Sequence, residues 1–150
     1  MSYTDLLKGR HSESGRIYFV TTVLANREQP VLNDINCARR VVQEIRKLHD
    51  ETAIVSLAWV VMPDHLHWLF QLGTCDTLAM VMKKLKARSA QSINAYLGRT
   101  GPVWQKVYFD RAVRKEDDLL AIARYIIGNP LRAGLVDSVK NYPHWDAAWI

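Results

Sequence analysis

His65 and His67 stand two residues apart in Pro63-Asp64-His65-Leu66-His67-Trp68-Leu69-Phe70, a stretch that alternates after a Pro-Asp turn signal. On a strand, successive side chains face opposite sides, so the two histidines share a face with Leu69 and Gln71. Leu66, Trp68, Phe70 and Leu72 share the other face, the one a core requires. Two imidazoles so placed can converge on one metal ion or one phosphate. They fit equally well as partly buried polar residues on a half-solvated strand, because histidine is common at intermediate burial.

A second pair lies further on. Tyr125 and Asn129 are four residues apart, hence on one helical face and roughly 40° apart in projection. Both fall beside the stripe Leu119, Ile122, Ala123 and Ile126 rather than in it. A phenol there suits a site between helix and sheet, and the Asn129 carboxamide oxygen can join two imidazoles on a divalent ion. Otherwise Tyr125 is a half-buried tyrosine with a satisfied hydroxyl, and Asn129 is a helix-ending cap.

The third feature is charge. Lys83, Lys84, Lys86, Arg88, Arg99, Lys106, Arg111, Arg114 and Lys115 fall in a window whose one acid is Asp110. Such a run is usually a solvated helix face. The shortage of compensating acids also fits a nucleic-acid footprint. Trp104, Tyr108 and Phe109 are interleaved with the cations, where exposed rings suit stacking of unpaired bases. Packing of at least one of them in the core is as good a reading.

The elements that must hold these residues are legible from periodicity. Ile17–Leu24 is β-branched and aromatic, the first strand. Asn33 or Asp34 caps a helix whose stripe is Ala38, Val41, Val42, Ile45 and Leu48, ending near His49. Ala53–Met62 and His65–Leu72 form a hairpin. Asp76 or Thr77 caps a second helix to about Leu97, with Leu78, Val81, Met82, Leu85, Ile93 and Tyr96 inward and Met80 also expected in the core. Val103–Arg114 reads as a fourth strand. A third helix opens with Glu116, Asp117 and Asp118, where the helix dipole favours negative charge. It must stop at Asn129, because Pro130 disfavours helical geometry before it. The tail to Ile150, with Trp145 and Trp149, packs back over the sheet. The order β-α-β-β-α-β is that of the ferredoxin-like α+β unit, an antiparallel sheet with two helices on one face. An added C-terminal helix carrying the tyrosine then covers part of the other face.

The 150 residues suit one domain, with residues 1–15 as a flexible lead-in arm. Twenty Lys and Arg against fifteen Asp and Glu leave a net charge of +5, a modest basic excess that points to a polyanion. Cys37 and Cys75 form no CxxC pair, which argues against a disulfide scaffold. No segment is long enough to span a bilayer, and the expectation is a cytoplasmic protein.

Four blocks resemble one family, the REP-associated tyrosine transposases of the single-tyrosine HUH superfamily. They are Gly15-Arg16-Ile17-Tyr18-Phe19-Val20-Thr21-Thr22, Met62 to Trp68, Val103 to Arg111, and Tyr125-Ile126-Ile127-Gly128-Asn129-Pro130-Leu131-Arg132-Ala133-Gly134-Leu135-Val136. They occur in the family's order. The resemblance implies a ferredoxin-like HUH endonuclease, bacterial and nucleoid-associated, acting as monomer or homodimer on single-stranded DNA with REP-like palindromic stem-loops. It implies His65, His67 and Asn129 as ligands of Mg²⁺ or Mn²⁺, and Tyr125 as the nucleophile of a 5′-phosphotyrosine intermediate. Arg16, Lys83, Lys84, Lys86, Arg88, Trp104, Lys106, Arg111 and Arg114 are the DNA-binding candidates. Gly128 departs from the pattern, which leads one to expect a polar or bulky residue there, and glycine should loosen the helix end.

Two other functions compete. A histidine-triad nucleotide hydrolase needs a third histidine where Leu69 stands, which sets it aside. A non-catalytic DNA or RNA hairpin-binding module explains the charge and the aromatics. It gives no reason for His65, His67, Tyr125 and Asn129 to occur together.

Overall fold

A computed structural model describes residues 13–114 and 116–148. The chain runs β1 (Ile17–Val23), α1 (Ile35–Asp50), β2 (Ile54–Val61), β3 (His65–Leu72), α2 (Leu78–Leu97), β4 (Phe109–Val113), α3 (Glu116–Ile127), α4 (Asn129–Arg132) and β5 (Trp145–Ala147), with short 3-10 turns at Val31–Asn33 and Val139–Asn141. The five strands lie in the order β4-β1-β3-β2-β5, and every neighbouring pair is antiparallel. This is the expected α+β sheet, enlarged by one strand.

Local chemistry starts the helices. Asp34 accepts from Asn36 N at 2.8 Å to cap α1, and Thr77 accepts from Met80 N at 3.2 Å to cap α2. Asp76, the other candidate, instead meets Lys84 Nζ at 2.7 Å. Helix α2 ends at Gly98, whose φ of 66° is the left-handed cap that glycine adopts without a Cβ penalty.

The two helices α1 and α2 pack on one sheet face. Tyr18, Val20, Trp68, Phe70, Val41, Ile45, Met82 and Leu85 are among the side chains they bury there. Helix α3 covers the opposite face, where Ile122, Ala123 and Ile126 meet Ala58, Val60, Met62 and Leu69. The nearly unbroken apolar run in the second strand follows from this, since β2 is covered on both faces. A bulge between Ser56 and Ala58 shifts the register and inserts Leu57. Before it, Ile54 and Ser56 face α1 and α2. After it, Trp59 and Val61 do so, and the small Ala58 faces α3.

Several expectations change. The fourth strand is only Phe109–Val113, because Val103 and Trp104 leave the sheet direction to enter the core, touching β1's end by a single bridge from Trp104 to Leu24. Residues 145–147 of the tail do not merely lie over the sheet: they pair with β2 as a fifth strand. Trp149 lies outside the described residues, as do residues 1–12 of the expected arm. Residues 13–15 are a turn tied to β3 by Gly15 N to Leu72 O at 2.8 Å. Met80 and Tyr96 are exposed rather than packed, and Tyr96 hydrogen-bonds Asp34 and Asn36 instead. Among the described residues, no helix is long and apolar enough to cross a membrane.

Candidate functional site

The register of the central strands sets the site. His67 lies opposite Thr21 of β1 and Val60 of β2, and His65 opposite Val23. Both imidazoles therefore point to the α3 face, as the alternation requires. Their ring centroids are 4.7 Å apart.

Each imidazole is held through Nδ1. His65 Nδ1 lies 2.7 Å from Asp64 Oδ1, and Arg27 Nε donates to Asp64 Oδ2 at 2.8 Å. Burial alone would raise the Asp64 carboxyl, but the hydrogen bonds from His65 and Arg27 outweigh it and hold the group below its ordinary value. An ionised carboxylate only accepts, so Nδ1–H of His65 donates and Nε2 stands outside that bond. His67 Nδ1 lies 2.7 Å from Thr21 Oγ1, a contact that leaves its Nε2 uninvolved. Burial, then the neighbouring charges of His65 and Arg132, push His67 down to about 4, so it is neutral at physiological pH. Tying one ring nitrogen to an oxygen while the other points into a site is how proteins orient metal-binding histidines.

The residues present fit a divalent ion as a pair of imidazoles awaiting oxygen donors. Among the described residues no group of three His, Cys, Asp or Glu side chains forms. Further ligands would have to be an amide, water or substrate oxygens.

Tyr125 is carried by the last turn of α3 and is 46 % exposed. Its ring meets the edge of His67 at 5.7 Å and of Phe19 at 6.3 Å between centroids. Beyond it opens a groove of about 310 Å³ lined by Phe19, Arg111, Asp118, Ala121, Ile122 and Tyr125. The other described tyrosines are engaged elsewhere. Tyr18 is buried under α1 and α2, and Tyr108 packs on that same side with Lys86 Nζ over its ring. Tyr142 donates to Val61 O at 2.6 Å, with its phenol pushed up to about 12 by burial. Tyr3 lies outside the described residues.

Asn129 does not share Tyr125's helix. Proline has no N–H to continue the ladder, so α3 ends at Ile127 and Asn129 opens α4, with Pro130 in its first turn. The Asn129 side chain makes no hydrogen bond to another described residue, which leaves its carboxamide available.

The candidate DNA contacts do not form one surface. Arg111 pairs with Phe19 across the strands and so faces α3, beside Tyr125. Lys83, Lys84, Lys86 and Arg88 belong to α2, behind the sheet. Lys84 is paired with Asp76, Arg88 with Glu51, and Lys86 donates to the carbonyl of the exposed Lys106. Arg16 is paired with Glu13, Arg114 is exposed beyond β4, and Lys115 lies outside the described residues. Trp104 is a correction: it is 5 % exposed and donates to Ser89 Oγ at 2.9 Å, so its ring is core packing and offers no face to a base. Phe109 is exposed and keeps that capacity.

Asp64, Thr21, Arg27 and Arg132 were missed as site residues from sequence. Asp64 had a signal, an acid directly before the first histidine. Thr21 and Arg132 sat inside quoted blocks, but only the register and the turn after α3 reveal what they touch.

The chain matches the family of IS200-like transposases over residues 14–129. A REP-associated tyrosine transposase of Escherichia coli K12 is 24 % identical over 136 residues, covering 89 % of this chain and 78 % of its own. A Haemophilus influenzae protein provisionally given the same name is 28 % identical over 149 residues, covering 90 % and 81 %. A solved REP-associated tyrosine transposase bound to a REP hairpin superposes with a TM-score of 0.75 at 24 % identity, covering 89 % of this chain and 78 % of that one.

Proposed function

Because this chain belongs to the IS200-like transposases, enzymes that cut and rejoin DNA strands, we propose that Tyr125 is its nucleophile and that His65 and His67 build the metal site beside it. The observation that carries the reading is the packing of the Tyr125 ring on His67, 5.7 Å between centroids, at the open edge of a groove. A tyrosine, two oriented imidazoles and an adjacent cation meet there, and a hairpin-binding module has no use for that combination.

The substrate is single-stranded DNA flanking a palindromic stem-loop, by likeness to the relative solved with a REP hairpin. Tyr125 Oη bonds to phosphorus while the P–O3′ bond breaks. The phenolic proton passes to solvent and the departing 3′ oxygen takes one up, leaving a 5′-phosphotyrosine and a free 3′-hydroxyl. The ester conserves the bond energy, so a 3′-hydroxyl can reverse the step and rejoin strands.

His65 and His67 would hold Mg²⁺ or Mn²⁺ through Nε2, with the Asn129 carboxamide oxygen as a third ligand. Bound there, the ion supplies charge neutralisation at the non-bridging phosphate oxygens. The chain's own contribution is orientation: Asp64 and Thr21 fix the imidazoles, Phe19 and His67 fix the phenol ring, and Arg111 lines the approach.

The test is a covalent adduct. The full chain is incubated with Mn²⁺ and labelled single strands bearing a stem-loop with randomised flanks. Wild type should form an adduct that maps to the Tyr125 peptide, and Tyr125→Phe should bind hairpins with unchanged affinity yet form none. An adduct on Tyr108 would overturn the assignment.

A further inference from the structure

Gly128 does not need glycine for its backbone. Its φ of −80° and ψ of −4° lie on the right-handed side, where any residue is allowed. What glycine leaves is space: a Cβ there would stand 2.8 Å from Arg132 Nη1 and 3.2 Å from Arg124 O, so the guanidinium would have to shift. The absent side chain is the channel through which Arg132 folds back from α4 over the end of α3. Its guanidinium carbon then sits 4.2 Å from the Tyr125 ring centroid, and its Nη2 donates to the Tyr125 backbone carbonyl. The same charge reaches His67, where it disfavours protonation.

We propose that Arg132 is the positioning residue of Tyr125, clamping its ring and backbone together and placing a fixed cation beside the phosphate that the phenol attacks. The inference rests on the reading of Tyr125 as nucleophile. One N–H of the guanidinium is spent on the carbonyl, and the planar group has five. The remaining donors form a fork that matches phosphate oxygens. A cation over the ring face also restricts the rotation of an aromatic side chain that is otherwise half-exposed. Tyr125's carbonyl belongs to the last turn of α3, where backbone acceptors lack intrahelical donors, so one contact closes the helix end and aligns the nucleophile. Gly128 thereby acquires a purpose.

A helix cap alone would predict a loss of stability and nothing else, and the experiment separates the two. Hairpin affinity, melting temperature and the single-turnover rate of adduct formation are measured for wild type, Arg132→Ala, Arg132→Lys and Gly128→Ala, using the stem-loop library with Mn²⁺. Arg132→Ala should bind hairpins within about threefold of wild type and form adduct about 10²-fold more slowly, the scale of losing one preorganised donor to a developing charge. Arg132→Lys should recover part of that rate, and millimolar guanidinium should accelerate Arg132→Ala but not wild type. Gly128→Ala keeps the charge but displaces it, and should slow the adduct with little change in melting temperature. If Arg132→Ala forms adduct at the wild-type rate, this inference falls while the nucleophile assignment stands. The inference falls equally if the alanine and lysine variants lose rate alike and guanidinium has no effect. If wild type forms no adduct on Tyr125, the assignment itself falls and takes this inference with it.

Discussion

Strand β3 presents two faces made from alternate residues of one short segment, and the two are packed by opposite rules. Leu66, Trp68, Phe70 and Leu72 enter a core closed by two long helices, in which the one polar contact of Trp68 is its Nε1 on Ser56 Oγ at 3.1 Å. His65, His67 and Leu69 face a thinner layer, closed by the apolar stripe of α3 and open at its edge. The first face is filled to hold the sheet. The second carries hydrogen-bonded imidazoles, a half-exposed phenol and a cation, held by polar and ring contacts rather than by bulk. A strand central in its sheet can support both because its rigidity comes from one side and its chemistry from the other.

The sharpest way to break this contrast is to truncate one residue on each face. Trp68→Ala should cost about 3–5 kcal/mol in urea unfolding, since a fully buried large side chain leaves a cavity. His65→Ala should lose Mn²⁺-dependent adduct formation while unfolding within about 1 kcal/mol of wild type, as expected of a partly exposed residue. Equal stability losses for the two variants would mean that both faces are core.

A smaller effect comes from pH. His67 titrates at about 4 when folded, against an ordinary value of 6.5, so the unfolded chain binds its proton more tightly. Stability from this residue is therefore complete above 6.5 and is lost as pH falls toward 4. For the metal-free protein, about 2 kcal/mol should go between pH 7.5 and 5. His67→Asn should flatten that slope, and an unaltered slope would show that the imidazole is not held neutral by burial.

The smallest expected change concerns DNA. Arg111 faces the groove beside Tyr125, whereas Lys84 and Arg88 are engaged with Asp76 and Glu51 behind the sheet. Arg111→Gln should reduce the slope of log affinity against log salt by about 1, and Lys84→Gln by clearly less. The reverse ranking would place the DNA across α2.

How much of this was legible in the residues follows the range of the forces involved. The β3 alternation and the three helical stripes are local periodicities, and both long-helix caps lie within three residues of the groups they satisfy. These were readable one element at a time, as was the pairing of His65 with His67. The separation of Tyr125 from Asn129 was half-readable, because Pro130 announced a break but not the new helix beyond it.

What the sequence by itself determined is therefore the β-α-β-β-α-β order with the helix after it, the polarity of their faces and the residue types that meet at the site. Tertiary structure alone decided which groups hold those residues. Thr21 reaches His67 only through the β1–β3 register, Trp104 is buried only because Ser89 offers its indole an acceptor across the core, and β5 exists only because β2 has an edge to pair. Arg132 reaches Tyr125 only where a chain turn meets a missing Cβ. The first three join residues far apart in the chain, and the last crosses the break between two helices, so the packed chain, and not the local pattern, selects the partner.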